Sequence, residues 1–115
     1  MKRILIVDDE VNIRQLYKDE LEEEGYHVLL AASGKEALDI LKRETFDLVM
    51  LDIKMPDING LEILGKIKEM KETIPVILIS AYDAYKQDFT SWAAEEYIVK
   101  SSDLSEIKEK IKKYL

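Results

Sequence analysis

The sequence of 115 residues contains no cysteine, one histidine, one tryptophan and two prolines. The absence of cysteine excludes a disulfide scaffold and thiolate metal sites, and it fits a reducing compartment, so we expect a cytoplasmic protein. Long apolar runs are also missing. The run that follows Lys2 and Arg3 extends only over residues 4–7, which is too short for a signal peptide or a membrane span. We therefore expect a soluble protein without membrane association.

Basic residues are fewer than acidic ones, with 17 Lys and Arg against 24 Asp and Glu and a formal net charge of -7. Sequence-independent binding to nucleic acid needs clustered Lys and Arg that displace counterions from phosphates. The excess of acidic residues therefore argues against nucleic-acid binding. A cation or a basic protein partner suits an acidic chain better. The hydrophobic fraction of 47% supports one sizeable core. The length predicts one domain over residues 1–115.

Five short apolar runs alternate with segments of helical period. The runs are ILIV at 4–7, HVLLA at 27–31, DLVML at 47–51, PVILI at 75–79 and EYIV at 96–99. Their nearly continuous hydrophobicity predicts strands that are buried on both faces. Five consecutive βα units therefore predict an α/β fold with a five-stranded parallel sheet in the order 2-1-3-4-5. Helices on both sides would make it a flavodoxin-like (βα)5 three-layer sandwich.

Local signals indicate where several helices begin and end. Ser33 followed by Glu36 is typical of a capping box, and Gly25 stands where the first helix should stop. Gly60 is predicted to supply permissive backbone before the third helix. His27 begins the second strand and is predicted to be a surface residue. The apolar stripe expected on the first helix consists of Ile13, Leu16, Tyr17 and Leu21.

Polar residues follow the predicted strands. They are Asp8, Asp9 and Glu10 after the first strand, Asp52 after the third, Ser80 after the fourth and Lys100 after the fifth. Each one alone is consistent with an ordinary helix cap, loop or solvated position. The carboxyl ends of parallel strands meet at one edge, however, so these residues should be neighbours. Carboxylates suit Mg²⁺, while a lysine and a hydroxyl suit an oxyanion.

Four segments resemble a known family when they are taken together. They are VDDE at 7–10, LDIKMPDING at 51–60, SAY at 80–82 and YIVK at 97–100. Each segment alone is weak evidence, but their order and spacing resemble the response-regulator receiver domain of two-component signalling. The resemblance extends over essentially the whole chain, and it implies a receiver (phosphoacceptor) domain. It also implies a histidine kinase or histidine phosphotransfer protein as partner and an output protein whose identity is unknown.

The resemblance implies that Asp52 accepts a phosphoryl group from a histidine of the partner in a Mg²⁺-dependent reaction, with Mn²⁺ as an alternative ion. Asp8, Asp9, Asp52 and the backbone carbonyl of Lys54 would hold the ion, and Lys100 would supply a second positive charge. Such a domain catalyses its own phosphorylation and slow autodephosphorylation and is not a conventional turnover enzyme.

Further roles follow from the same resemblance. Ser80 and Tyr97 would form the switch, with an altered face made by the fourth helix, the fifth strand and the fifth helix. Lys54 and Tyr82 would tune the lifetime of the phosphorylated state, because both flank the approach of water. Glu10 has two open interpretations, either a helix N-terminal residue favoured by the dipole or a metal-linked acid.

Two positions depart from the family pattern. Receivers usually follow the lysine of the fifth strand with proline, often through a cis peptide bond, whereas Ser101 follows Lys100 here. A cis bond to a residue other than proline costs about 2.5 to 4 kcal/mol, which favours a trans bond. Before the fifth strand the family commonly has Gly-Ala, whereas this chain has Ala93 and Ala94, preceded by Trp92. This difference predicts an altered end of the fourth helix.

Three alternatives remain open from the sequence. A haloacid-dehalogenase-like phosphatase also uses an aspartyl nucleophile, Mg²⁺ and a lysine, but its nucleophile follows the first strand in a DxD motif. A flavodoxin-like flavin binder should offer hydroxyls and amides to a phosphate in its first loop, where this chain has acids. The third alternative is a receiver-like interaction module that has lost phosphorylation. The sequence also leaves open whether the chain is a stand-alone receiver or part of a longer regulator.

Overall fold

The structure is a computed structural model. It describes residues 1–53, 57, 59–70, 73–80, 94–100 and 104–115. The sequence predictions for Lys54, Tyr82, Trp92, Ala93 and Ser101 lie outside these residues, as does the predicted fourth helix.

The described residues form a parallel sheet of five strands in the order β2-β1-β3-β4-β5, which confirms the predicted fold class and strand order. The strands are β1 (Arg3–Val7), β2 (His27–Ala31), β3 (Leu48–Asp52), β4 (Val76–Ser80) and β5 (Glu96–Val99). β3 and β4 are buried along their whole length, as expected for interior strands that helices cover on both faces. β2 is an edge strand, and its first residue, His27, is exposed as predicted.

Four helices lie in the described part of the chain. They are α1 (Val11–Glu23), α2 (Gly34–Arg43), α3 (Gly60–Met70) and α4 (Ser105–Tyr114). The helix labelled α4 corresponds to the fifth helix of the sequence prediction.

Two apolar cores lie on opposite faces of the sheet, because successive strand residues point to opposite sides. Leu5 and Val49 belong to the core that packs under α2 and α3. Ile6 and Met50 belong to the core under α1 and α4. Full burial of one such side chain contributes about 1.5 to 3 kcal/mol. Both cores therefore fix the strand ends that carry the polar residues, and the arrangement confirms the three layers.

The α1 helix buries a narrower stripe than the apolar pattern predicts. Tyr17 and Leu21 are buried and Ile13 is partly buried, whereas Leu16 is exposed. The prediction that Leu16 belongs to the core is therefore wrong. Each helical residue is rotated by about 100° from the one before it, so Leu16 lies beside the buried stripe rather than under it.

The predicted ends of α1 and α2 are confirmed. Gly25 has a φ of 94°, and its N–H donates to the carbonyl of Glu22 at 3.0 Å, as in a helix end closed by a left-handed residue. The Ser33 hydroxyl accepts from the N–H of Glu36 at 3.2 Å. The carboxylate of Glu36 turns back to accept from the N–H of Ala32 at 3.3 Å, one residue earlier than an ordinary capping box requires.

Gly60 begins α3 for a different reason from the one predicted. In the described residues the only glycine with a positive φ is Gly25, so Gly60 is not required for backbone freedom. A Cβ at Gly60 would lie 2.5 Å from the Cα of Ile53 and closer still to the carbonyl oxygen of Asp52. The N–H of Gly60 also donates to the carbonyl of Ile53 at 2.7 Å. Glycine is therefore needed because α3 starts in contact with the backbone at the end of β3.

Candidate functional site

The predicted site residues meet at the carboxyl-terminal edge of the sheet. Asp52 and Ser80 are the last residues of β3 and β4 rather than the residues after them, so the ladder itself fixes their positions. The N–H of Asp8 donates to the carbonyl of Ala31 at 3.1 Å, and the N–H of Lys100 donates to the carbonyl of Ser80 at 2.7 Å. Backbone hydrogen bonds between neighbouring strands therefore extend into the site.

The ammonium group of Lys100 lies among three carboxylates. Its Nζ is 3.0 Å from Oδ2 of Asp8, 3.2 Å from Oδ2 of Asp52 and 3.6 Å from Oε1 of Glu10. The sequence predicted that Lys100 would face an anion, and in the structure that anion is the carboxylate group of the site itself. One lysine thus joins β5 to the ends of β1 and β3.

Exposure divides the site into a buried part and an open part. Asp8, Asp52 and Ser80 are 2%, 5% and 1% exposed, whereas Asp9 and Glu10 face solvent. The carboxylates of Asp8, Asp9 and Glu10 offer three oxygen atoms that lie within 4.8 Å of one another. At such a distance two negative charges repel by about 3.5 kcal/mol at an effective dielectric constant of 20. Three acids surround Lys100 and Asp9 is a fourth acid in the same turn, so these acids outnumber the lysine and the site retains an excess of negative charge.

This donor set fits a hard divalent cation. Mg²⁺ takes oxygen ligands and binds through one or two carboxylates together with water and phosphate oxygens. Asp8, Asp9 and Glu10 offer carboxylates from one turn. Asp52, the further ligand that the resemblance implies, ends the neighbouring strand β3. The predicted fourth ligand, the carbonyl of Lys54, lies outside the described residues.

The pKa of Lys100 reflects its neighbours. Burial lowers the pKa of the ammonium group, but the hydrogen bonds and charges of Asp8 and Asp52 together outweigh burial and raise the pKa from its ordinary value of 10.5. Lys100 is therefore charged throughout the neutral range.

The turn that carries the three acids is closed by hydrogen bonds. The carboxylate of Asp8 accepts from the N–H of Glu10 at 2.9 Å, and the guanidinium of Arg14 donates to the carbonyl of Asp8 at 2.7 Å. Glu10 is the N-cap residue of α1, but its side chain makes no capping hydrogen bond and lies toward Lys100 instead. The backbone of Glu10 therefore begins α1, while its carboxylate lies beside Lys100.

Arg14 and Tyr17 are neighbours of the site that the sequence analysis missed. Tyr17 appeared there only as an apolar stripe residue. Burial raises the pKa of its hydroxyl, Lys100 lowers that pKa in part, and the acids Asp8, Asp52 and Glu10 raise it further, so the phenol lies within electrostatic range of the charged site. Both residues follow Glu10 at helical spacing, four and seven positions on. That spacing, which places them on one face of α1, is the signal that could have identified them.

Comparison with known proteins agrees with this geometry. The model of the response regulator receiver domain family matches residues 4–112. The chain belongs to that family. A haloacid-dehalogenase-like phosphatase and a flavin binder, the first two alternatives, are therefore no longer required to explain the sequence.

Two relatives illustrate the range of proteins that contain this receiver domain. The sporulation initiation phosphotransferase F of Bacillus subtilis is 41% identical over 116 residues, with 99% of this chain and 94% of that protein covered. The response regulator ArlR of Staphylococcus saprophyticus is 40% identical over 117 residues. All of this chain is covered in that comparison, but it spans only 53% of ArlR.

Two solved structures of the response regulator TrrA from Thermotoga maritima are similar to this receiver domain. Each is 54% identical and covers 100% of this chain, with TM-scores of 0.98 and 0.95. They cover 100% and 99% of TrrA. In the first structure TrrA is in complex with Mg²⁺-BeF, and in the second it is in complex with the histidine kinase ThkA.

The two predicted switch residues occupy neighbouring strands of the receiver sheet. Ser80 ends β4, and Tyr97 lies in β5 opposite Leu78. Tyr97 is partly buried and packs against the core under α2 and α3. Within the described ranges, no helix combines the length and the apolar character needed to cross a membrane.

Proposed function

We propose that this receiver domain accepts a phosphoryl group on Asp52 from a partner histidine kinase or histidine phosphotransfer protein. The observation that carries the proposal is the environment of Asp52. Its carboxylate ends the central strand, is 5% exposed, and lies 3.2 Å from the ammonium of Lys100 beside the acidic turn of β1. An aspartate so placed is fixed by the sheet, and the exposed acids Asp9 and Glu10 mark the side of the site from which a phosphoryl donor can approach.

Asp8, Asp9, Asp52 and the backbone carbonyl of Lys54 are proposed to hold Mg²⁺, and Mn²⁺ suits the same oxygen ligands. The complex of TrrA with Mg²⁺-BeF supports this assignment. The bound ion supplies positive charge that reduces the repulsion between the phosphoryl group and the acids of the site. The excess negative charge around Lys100 is the reason that a second cation is needed.

The chemical step requires positioning more than covalent chemistry. An oxygen of Asp52 forms a bond to phosphorus while the bond from phosphorus to the histidine nitrogen of the donor breaks, and the electron pair remains on that nitrogen. Lys100 holds the Asp52 carboxylate in place before transfer and offsets charge on the phosphoryl oxygens during it. Slow autodephosphorylation follows when water attacks the acyl phosphate at the same site.

The side chains of Lys54 and Tyr82 are proposed to slow that hydrolysis by restricting the approach of water. The test compares the dephosphorylation rates of Lys54→Ala and Tyr82→Ala with wild type. Faster hydrolysis in each variant supports the role, and unchanged rates contradict it.

Phosphorylation is proposed to change the surface that an output protein recognises. Ser80 is nearly inaccessible at the end of β4, and the pairing of β4 with the strand of Asp52 supports a response of its hydroxyl to a phosphoryl group on Asp52. Tyr97 lies on the adjacent strand β5 and would transmit the change by a new rotamer. The complex of TrrA with ThkA supports a histidine kinase as the partner, and we expect the exchange to take place in the cytoplasm.

Intact mass spectrometry tests the central claim. Wild type, Asp52→Ala and Asp39→Ala are incubated with acetyl phosphate and Mg²⁺, and a parallel sample contains EDTA. Asp39 is an exposed aspartate of α2 and serves as a matched control. We expect one phosphoryl adduct in wild type and in Asp39→Ala, and none in Asp52→Ala or with EDTA. Equal adducts in wild type and Asp52→Ala, or none in wild type, would favour the interaction module that has lost phosphorylation or another acceptor residue.

A further inference from the structure

The acidic turn between β1 and α1 is held at both ends by Arg14. Its backbone N–H donates to the carbonyl of Glu10 at 3.0 Å, which is the first hydrogen bond of the helix. Its guanidinium reaches back six residues and donates to the carbonyl of Asp8 at 2.7 Å. Asp9 lies between these two anchored residues. The guanidinium of Arg14 therefore adds a bond from α1 to the hydrogen bonds by which Asp8 already holds the main chain of the turn.

The direction of the Asp9 carboxylate depends on this main-chain path. Within the described part of the chain, Asp9 makes no hydrogen bond or ion pair, whereas Asp8 is held by Lys100 and by the N–H of Glu10. Among the described residues, no hydrogen bond or ion pair therefore orients the Asp9 carboxylate. Mg²⁺ requires near-ideal octahedral geometry, so a ligand without a partner of its own must be positioned by its backbone.

Arg14 and Lys100 bring positive charge to the turn in different ways. Lys100 binds the carboxylate oxygens of Asp8 and Asp52, which are the same atoms that a divalent cation would use. Arg14 binds only a carbonyl oxygen, so it offsets the repulsion among the acids and leaves every carboxylate oxygen available. Its planar guanidinium is also more rigidly directed than an ammonium on a flexible chain.

We propose that Arg14 is a positioning residue for the metal-binding turn, which aims the carboxylates of Asp8 and Asp9 at a divalent cation by binding the main chain on both sides of Asp9. This inference rests on the proposed Mg²⁺ site. Residues that orient metal ligands typically change metal affinity by about 10- to 100-fold when they are replaced. Arg14 should fall at the lower end, because Asp8 keeps its other hydrogen bonds.

The experiment measures Mg²⁺ affinity from amide chemical shifts of Asp9 and Glu10 by NMR. The variants are Arg14→Ala, Arg14→Lys and the control Lys18→Ala, which removes a cation of α1 that makes no hydrogen bond or ion pair to the described residues. We expect about tenfold weaker Mg²⁺ binding in Arg14→Ala. Arg14→Lys should be intermediate, because it keeps the charge without the planar donor, and Lys18→Ala should match wild type.

A second measurement in EDTA separates positioning from folding. Amide hydrogen exchange at Glu10 should become faster in Arg14→Ala, while exchange at Ile6 in the middle of β1 should stay slow. If folded Arg14→Ala and Arg14→Lys bind Mg²⁺ as tightly as wild type, the positioning role of Arg14 is overturned, while the proposed Mg²⁺ site is not. A wild type whose shifts do not respond to Mg²⁺ would overturn the Mg²⁺ site and this inference with it. If Arg14→Ala does not fold, Arg14→Lys decides the result by itself.

Discussion

At the carboxyl-terminal edge of the sheet, the acids of the site share the ammonium of Lys100, and Asp9 has no cationic partner among the described residues. At the opposite, amino-terminal edge, Glu95 is paired on both oxygens. One accepts from Lys68 at 2.7 Å and the other from the N–H of Val76 at 2.6 Å. The first edge therefore keeps unbalanced charge, while the second satisfies its charge locally.

The amino-terminal edge ties several elements together through such pairs. Lys68 of α3 also donates to the carbonyl of Ile74 at 2.8 Å, and the hydroxyl of Tyr114 in α4 donates to the carbonyl of Glu95 at 3.2 Å. Charge at this edge stabilises the fold. Charge at the carboxyl-terminal edge costs stability, because the acids repel one another and the chain supplies too little positive charge to balance them.

Lys100→Met should break this contrast most strongly. Removal of the ammonium takes the cation Lys100 away from the buried carboxylates of Asp8 and Asp52, and we expect a loss of about 3 kcal/mol in the free energy of unfolding at neutral pH. Urea denaturation measures it. Because the pKa of Lys100 is raised in the folded state, its contribution is fully present below pH 10.5 and is lost as the pH rises further. An equally stable variant would show that Lys100 is not needed to balance the acids.

Glu95→Ala tests the amino-terminal edge. The substitution leaves the N–H of Val76 without this acceptor and removes the carboxylate from the half-buried ammonium of Lys68, which keeps the carbonyl of Ile74, so we expect a loss of about 2 kcal/mol in urea denaturation. Glu95→Gln keeps an acceptor for Val76 and should lose less. Both variants should still acquire the phosphoryl adduct. A Glu95→Ala variant that stays folded but no longer accepts the phosphoryl group would mean that the two edges are not separate in role.

Asp9→Asn should increase the free energy of unfolding, whereas the two preceding substitutions should decrease it. The substitution removes one of three carboxylates whose oxygens lie within 4.8 Å, and Asp9 has no favourable partner to lose. We expect a gain of about 1 kcal/mol in the free energy of unfolding with EDTA, because like charges repel at this range. Addition of Mg²⁺ should then stabilise wild type but not the variant, since ligand binding shifts the folding equilibrium. Asp39→Asn is the control and should change neither value. A loss of stability in Asp9→Asn with EDTA would contradict the idea of unbalanced charge.

Much of this contrast could be predicted from the sequence. The apolar runs define the strands, and the rule that parallel strands end at one edge brings Asp8, Asp52, Ser80 and Lys100 together without any structure. A nearly continuous apolar run is a strong signal for a buried strand, because almost every residue of the run contributes to it. The positions of these residues therefore follow from the pattern alone.

Other features could not be predicted because they depend on main-chain atoms or on side-chain direction. Arg14 binds a backbone carbonyl, which no residue type reveals. Gly60 is required by contact with the backbone of Asp52, whereas the sequence suggested conformational freedom. The exposed Leu16 shows that an apolar stripe can be wider than the face that is buried. The partners of Glu95 lie at the start of β4 and near the end of α3. From the sequence alone, a solvent-exposed Glu95 would have been an equally good prediction.

Glu96→Gln tests whether charge near the amino-terminal edge stabilises the fold even at the surface. The carboxylate of Glu96 lies 3.0 Å from Nζ of Lys110 and 3.5 Å from that of Lys113. The hydrogen bond from Lys110 lowers the pKa of Glu96 from its ordinary value of 4.5, although burial opposes this change. A lowered pKa contributes stability above pH 4.5 that is lost as the pH falls below it. Because exposed ion pairs are screened by solvent and salt, the effect should be the smallest of the four.

Thermal unfolding should show wild type slightly more stable at neutral pH, with the difference shrinking below pH 4.5 and at high salt. Glu109→Gln, an exposed acid of α4 that lies in the same helix as Lys110 and Lys113, is the control. A difference that persists in acid would show that the stabilising role of Glu96 does not come from its charge.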